Sequence, residues 1–492
     1  MIRDTFEEIL NNKDVRQNLS KLRQELKEGS NRHALLYAMG ADDMVFPKLL
    51  HSEDAKTRKN TALVMGALGI DKYLPFLYEA YVKEEQRFVK SSYLTAISEY
   101  DYRDYLDAFK ARIEELNKEE VTTENNKHIS EELRALTNLV VMMEGVKSHE
   151  FRGNHVTSDL VLLTNRNHMD VTVEELDGMK TKVFGAGVMV RTDKLEDVLK
   201  VRTYQEMLFM VDGMKTCPND VNEAAKTIVN SDLLQFMEKR HKGKAPFYFR
   251  IELKAKMELD KKSAFTKKLA SEIERLSNRN FINTTSNYEF EIRLIENREG
   301  SFNVLVKLYT IKDDRFAYRK NVIANSIRPM NAALTVALTK EFMKEGAQVL
   351  DPFCGVGTML IERHKAVKAN TTYGIDIYAQ AIEKARENTE AAHQIIHYIN
   401  RDFFDFKHEY LFDEIITNMP AAVGHKNESE ICDLYEAFFK KAKEHLKEDG
   451  IIIMYSHNKE FVKRMAPRMG YRIRKEFEIS MREGSYVYVI ER

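Results

Sequence analysis

Cysteine is scarce. Cys217, Cys354 and Cys432 are the only three in 492 residues, too few and too far apart for a disulfide framework or a zinc knuckle. A reduced, cytoplasmic setting is the expectation that follows. Glycine (20) and proline (8) together run at about half the usual share, so long helices should dominate. No apolar run reaches the roughly 18 residues a membrane span needs, and no charged-then-apolar leader opens the sequence, so no membrane partner is expected. Neither sign of charge is in excess: 76 Lys and Arg face 77 Asp and Glu. That balance excludes a uniformly basic nucleic-acid coat but allows a local basic patch. No His, Cys, Asp and Glu cluster has ligand spacing, so no metal is expected. What is present is a 43% hydrophobic, 31% charged chain, able to build a packed core and long enough for about three domains.

Residues 1–150 read as helices only. Apolar residues recur at three- and four-residue spacing through Leu49 and Leu50, then Ala62, Leu63, Met65 and Leu68, then Leu74 and Leu77. Thr57–Leu77 aligns with Phe88–Ala108 at an offset of 31 residues, and a poorer copy lies at His33–Leu50. A helix pair per repeat is how an α-solenoid of HEAT type buries its faces, and solenoids bind a protein or other partner along one face. An ordinary helical bundle is the alternative. Asn117–Ile129 is polar and aperiodic and reads as a loop, Ser130–Met143 as a further helix, and Asn154–Ser158 as a boundary.

Residues 159–320 alternate strand and helix signals, an order that fits two small α+β units. Strands are expected at Asp159–Thr164, Glu206–Asp212, Phe247–Leu253, Tyr288–Leu294 and Phe302–Leu308. Helices are expected at Asp193–Leu199, with an Asp cap, and at Ser263–Leu276, with a Ser cap. Glu238–Lys268 holds 11 Lys and Arg against 4 Asp and Glu, with Phe247 and Tyr248 inside. Such a segment suits a phosphate backbone, with a merely solvated face as the alternative.

From residue 321 the order becomes strand, Gly-rich turn, helix, strand, helix, strand, the doubly wound α/β pattern. A short strand at Gln348–Leu350 runs into Asp351-Pro-Phe-Cys-Gly-Val-Gly-Thr358 and a helix through His364. Gly355 and Gly357 allow close approach to the backbone, and the helix start offers amides to a negative group. A second strand, Thr372–Ile375, ends at Asp376, placed to accept ribose hydroxyls. A third, Ile395–Ile399, leads to Asp402 and Phe403, a carboxylate and a ring for an adenine. A fourth, Asp413–Thr417, ends at Asn418-Met419-Pro420-Ala421. No third glycine and no P-loop Lys-Ser/Thr follows, which disfavours ATP hydrolysis. Strands at Gly450–Ser456, Tyr471–Ile479 and Ser485–Ile490 close the pattern. Cys354 reads as a packing residue and His425 as a loop residue.

DPFCGVGTMLIE, GIDI, RDFFD and TNMPA together resemble an S-adenosylmethionine-dependent methyltransferase, and more narrowly the THUMP-domain RNA guanine-N2 methyltransferases of bacteria and archaea. Tyr318-Arg-Lys320 with Ile327–Leu338, and LLTNRNHMDVTVEEL, GAGVMV and LKVRTYQEML upstream, are similar to the same enzymes. The resemblance implies a ferredoxin-like plus THUMP-like RNA-binding region at 155–317 and a Rossmann-like class I methyltransferase domain at 318–492; the HEAT-like helical region at 1–150, read from its repeats, lies outside the family pattern. It assigns Asp351, Phe353, Gly355, Gly357 and Thr358 to the amino-acid end of S-adenosyl-L-methionine, Asp376 and Ile377 to the ribose, and Asp402 and Phe403 to the adenine. Asn418, Met419 and Pro420 would face the target base. From the basic segment, Lys242, Lys244, Arg250, Lys254, Lys256, Lys261 and Lys262 are the candidates to contact RNA. The family motif carries Pro where this chain has Met419 and an aromatic where it has Ala421; Phe404 or His425 are the candidates to replace that ring. The implied reaction forms N2-methylguanosine in tRNA or rRNA. Methylation of another amine (adenine N6 or a protein glutamine) and a silent cofactor- and RNA-binding scaffold are the alternatives.

Overall fold

The structure, a computed structural model, describes residues 2–40, 42–119, 125–144, 148–420 and 428–492. The chain divides into two compact units, residues 1–147 and 148–492.

The described residues of the first unit are helical throughout. Helix Ala55–Leu68, a 3₁₀ turn at Asp71–Tyr73 and helix Leu74–Lys83 recur as helix Arg87–Ile97, a 3₁₀ turn at Arg103–Tyr105 and helix Leu106–Lys118. The period is 32 residues, one more than the letters suggest. Burial decides the register: Ala62 and Met65 occupy the places of Leu94 and Ile97, all buried, whereas Leu63 is only half-buried. Gly66 lets the two leading helices touch, because a Cβ there would stand 2.8 Å from the Ala96 Cα. The loop expected at Asn117–Ile129 is shorter. Helix Leu106–Lys118 runs past Asn117, and the last helix, Asn126–Glu144, opens before Ser130 and buries Ile129 in the core. Tertiary docking of that one side chain outweighs the polar surroundings.

The second unit begins upstream of Asn154–Ser158. The short strands β1 (Glu150–Phe151) and β7 (His241–Lys242) pair antiparallel, and His149 Nδ1 lies 2.6 Å from Glu289 Oε1. One sheet then gathers β2 (Ser158–Leu163), β3 (Lys180–Phe184), β4 (Gly187–Thr192), β5 (Glu206–Met210), β6 (Thr216–Cys217), β8 (Phe247–Lys254), β9 (Phe281–Asn283), β10 (Phe290–Glu296) and β11 (Phe302–Leu308). Its order is β3-β4-β2-β5-β11-β10-β8-β9, with β6 on β11. The two expected α+β units are therefore halves of one sheet, joined where Phe209 of β5 meets Val306 of β11. The β3–β4 hairpin has no strong sequence signal. Gly187 is required there, because a Cβ would strike the Leu162 carbonyl. Neither expected cap forms. Helix Leu259–Leu276 opens at Glu258 and encloses Ser263, and Lys194 precedes the single turn Leu195–Val198 while Thr192 Oγ1 accepts its amide.

The last sheet holds β12 (Gln348–Asp351), β13 (Thr371–Asp376), β14 (His397–Asn400), β15 (Phe412–Asn418), β16 (Leu446–Ser456), β17 (Arg472–Ser480) and β18 (Ser485–Glu491). The order is β14-β13-β12-β15-β16-β18-β17, parallel except for β18, which runs antiparallel to both neighbours. Strand order reverses between β12 and β15, the place where open α/β sheets bind ligands at the carboxyl ends of their strands.

Polar contacts tie the two sheets. The Arg202 guanidinium grips Glu362 at 2.9 and 2.7 Å and donates to the Arg315 carbonyl at 2.7 Å, while the Tyr318 hydroxyl donates to Glu362 at 2.6 Å. Asn165 donates to the Ile479 carbonyl at 2.8 Å and Asn167 to that of Glu478 at 3.1 Å, so the turn after β2 covers the exposed edge strand β17.

Candidate active site

The glycine turn is built for close approach. β12 is buried and ends at Asp351, after which the chain reverses through Gly355 (φ +52°) and Gly357 (φ +80°), conformations that only glycine adopts cheaply. Gly357 is also the N-cap of helix Thr358–Ala366 and supplies no capping side chain, so the first-turn amides are left for an incoming group. The Thr358 hydroxyl is buried without a hydrogen-bond partner among the described residues. Underneath lies a support that the sequence reading missed. Tyr398 packs against the turn, its hydroxyl 2.7 Å from Thr389 Oγ1. Asn388 donates to the carbonyls of Val356 (3.1 Å) and Asn321 (3.0 Å) and accepts from the Asn321 amide (2.9 Å). The only available signal was an Asn-Thr pair on the inner face of a charged helix, Ala379–Ala391.

Three carboxylates stand at the ends of adjacent strands. Asp351 is buried, its Oδ1 accepting from the Thr417 hydroxyl (2.7 Å) and the Phe353 amide (3.0 Å). Burial pushes its pKa up to about 7. Asp376 ties two strand ends together, Oδ2 accepting from the Gly355 amide (3.0 Å) and Oδ1 from the Tyr378 amide (2.9 Å). Each carboxylate oxygen can accept again, so half-buried Asp376 retains capacity for hydroxyls. Exposed Asp402 caps a 3₁₀ turn through the Phe404 amide at 2.9 Å. Phe403 follows directly. It is 1% exposed and packs edge-on against half-buried Phe353, at 5.9 Å, inside the core. Ile377, 56% exposed beside Asp376, is the apolar surface actually presented.

On the far side of Asp351, Asn418 ends β15 opposite Tyr455 of β16 and is half-buried. The Met419 amide donates to the Tyr455 carbonyl at 2.9 Å and its side chain is buried in the core. Methionine thus keeps the strand paired one residue longer than the family's proline could. Pro420 is half-buried, and Ala421 and His425 lie outside the described residues. Phe404 is half-buried with its ring 5.7 Å from Phe403. Burial pushes the Cys354 thiol well above its usual range, which suits packing and not nucleophilic chemistry.

The basic segment does not form one patch. Exposed Lys242 and Lys244 precede β8, whereas exposed Lys254 ends it and exposed Lys256 and Lys261 and half-buried Lys262 follow. The eight-residue strand separates the groups by roughly 26 Å at about 3.3 Å per residue. Arg250, within β8, is engaged differently from the lysines. Its guanidinium is held by Glu291 at 2.9 and 2.6 Å and by the Tyr309 hydroxyl at 2.8 Å, over the Tyr288 ring, while the side chain stays partly exposed. Among the described residues, no group of His, Cys, Asp and Glu is placed to hold a metal ion, and no helix is long and apolar enough to cross a membrane.

Residues 318–485 match the family described as RMKL-like, methyltransferase domain (UPF0020). Over 120 residues, 23% of this chain, the sequence is 32% identical to the tRNA (guanine(10)-N2)-dimethyltransferase of Methanothermobacter thermautotrophicus, and the match spans a third (33%) of that relative's length. TrmN from Thermus thermophilus has a TM-score of 0.51 at 19% identity, covering 68% of this chain and 99% of its own. SMU.472, a putative methyltransferase solved with SAH, has a TM-score of 0.52 at 15% identity, covering 68% and 98%. The shared fold is class I methyltransferase-like.

Proposed function

We propose that this chain transfers a methyl group from S-adenosyl-L-methionine to the exocyclic N2 of a guanosine in tRNA or rRNA. The observation that carries the reading is a convergence. Asp351, Asp376 and Asn418 end β12, β13 and β15, with Asp402 just past β14, around a left-handed glycine turn that opens a helix. The buried, unpartnered Thr358 hydroxyl and the uncapped helix start fit a bound cofactor. Asp351, Phe353, Gly355, Gly357 and Thr358 hold its amino-acid end, Asp376 its ribose and Asp402 its adenine amino group, with Ile377 as the apolar contact in place of Phe403. When bound, the cofactor supplies an electrophilic methyl on a sulfonium.

The side-chain oxygen of Asn418 and the carbonyl of Met419 accept the two hydrogens of the target amine and turn its lone pair toward the methyl. Pro420 holds Met419 extended. No strong base is needed, because orientation contributes most of the acceleration. The base must leave its stack to reach this crevice. In this reading residues 155–317 are a ferredoxin-like plus THUMP-like grip on RNA, with Lys242, Lys244, Lys254, Lys256, Lys261 and Lys262 on phosphates. Residues 1–150 form a HEAT-like array, supported by the 32-residue helix–turn–helix recurrence. The setting is cytoplasmic, in keeping with three free cysteines.

The test is transfer of tritium from labelled cofactor to total RNA from a strain lacking the gene, followed by nucleoside analysis. Label in N2-methylguanosine is expected, lost in Asp376→Ala and Asn418→Ala, with cofactor binding kept in the latter. Label in another nucleoside or in protein replaces the substrate. A second reading, a silent scaffold, rests on the Met419 and Ala421 departures and expects cofactor binding without any label.

A further inference from the structure

The helical unit carries a cleft that the catalytic reading does not use. It has a volume of about 440 Å³ and is lined by Arg16, Gln17, Ser20, Arg23, Lys56, Lys59, Asn60 and Phe88. Two helices far apart in sequence build it. Arg16, Ser20 and Arg23 follow at i, i+4 and i+7 on helix Val15–Glu25, whose opposite side buries Leu19 and Leu22. Lys56, Lys59 and Asn60 follow at i, i+3 and i+4 on helix Ala55–Leu68. Four cations thus face one concavity with no carboxylate in its lining.

Several other cations on this unit are neutralised: Arg58 by Glu84, Arg87 by Glu119, Lys110 by Glu144 and Arg112 by Glu132. The four of the cleft have no ion pair among the described residues. The acid that feels Arg16, Asp54, is occupied as a helix cap, accepting from the Lys56 and Thr57 amides and from the Thr57 hydroxyl at 2.7 Å. Four like charges held together in a chain of net charge −1 repel one another and favour a polyanion. Gln17, Ser20 and Asn60 add neutral hydrogen-bonding groups to the wall, and half-buried Phe88 adds a ring for a base.

We propose that this cleft binds the sugar-phosphate backbone of RNA, giving the helical unit an RNA-gripping role of its own instead of the protein-docking role expected of a solenoid. The inference rests on the RNA reading above for the identity of its polyanion. Neutralising up to four phosphates contributes a salt dependence of roughly 0.7–0.9 per contact to the slope of log K against log salt.

The experiment uses the full chain with Arg16, Arg23, Lys56 and Lys59 all changed to Ala, and a second set changed to Gln as a check on folding. Affinity for unfractionated tRNA is measured across a salt series, with cofactor affinity followed by calorimetry. Both sets are expected to weaken tRNA binding about tenfold or more near 0.1 M salt and to lower the salt slope by about 3, with cofactor affinity unchanged. Unchanged tRNA affinity and slope in the Gln set overturn the cleft and leave the proposed reaction standing. Loss of poly-glutamate binding with tRNA binding intact also overturns it, in favour of an acidic protein. A wild-type chain that binds no RNA removes both this proposal and the RNA substrate.

Discussion

The Tyr398 hydroxyl occupies the space into which a side chain at Gly357 would point, so the cofactor turn rests directly on the third strand of its own sheet. Gly357→Ala therefore meets two obstacles, a φ of +80° and a collision with that hydroxyl. The variant is expected to lose about 1–3 kcal/mol of stability and most of its cofactor affinity. Tyr398→Phe, added to it, should restore part of the stability by removing the colliding oxygen. Chemical denaturation and calorimetry on the single and double variants check this, and equal losses in both would rule out the contact.

Asp351 provides a pH signature. Its folded-state pKa, about 7, lies above the ordinary 3.8, so the folded chain holds a proton that the unfolded chain has already released. Wild-type stability should therefore fall relative to Asp351→Asn as pH rises from about 4 to about 7, by on the order of 4 kcal/mol, and level off above. If the carboxylate faces the ammonium of the cofactor, affinity should rise through the same window in wild type alone. Denaturation midpoints and titrations between pH 4 and 8 measure both.

Arg202→Ala removes the cation that Glu362, 2% exposed, depends on between the two sheets. Leaving that carboxylate buried with only the Tyr318 hydroxyl should cost about 3 kcal/mol. Arg202→Lys should rescue only in part, because an ammonium cannot reproduce the two-pronged grip on Glu362 together with the bond to the Arg315 carbonyl. Thermal unfolding of the two variants is the measurement.

In the helical unit, Gly66→Leu should separate helix Ala55–Leu68 from helix Arg87–Ile97 and destabilise by about 1–3 kcal/mol. A change of the same kind at Gly29, where a Cβ meets nothing within 4 Å, is the control and should be near neutral. An equal melting temperature for both variants would remove the tight crossing.

The catalytic sheet was legible because its signals are local. Each strand is a short apolar run punctuated by glycine or a carboxylate, and the observed strands fall within a few residues of the expected ones. The surroundings of Phe403 and Arg250 were not legible, for a common reason. A ring beside an acid, or an arginine in a basic run, looks the same in sequence whether it faces solvent or a partner. Phe353 for the one, and Glu291 with Tyr309 for the other, are contributed by distant strands and segments. The hairpin at Gly187 escaped because its requirement is a close approach to the Leu162 carbonyl, not a turn motif.

Sequence alone determined the apolar alternation that makes the strands, the order of elements in the last domain, and the Gly355 and Gly357 pair that permits left-handed backbone, since all three follow from covalent structure and local sterics. Only the tertiary structure decided which polar groups remain available. It buried Asp351 until its pKa rose, packed the Phe403 ring, paired Arg250 with Glu291, set the helical repeat at 32 residues, and brought Arg16 and Arg23 against Lys56 and Lys59. Availability depends on desolvation and on partners far along the chain, and those exist only once the chain is packed.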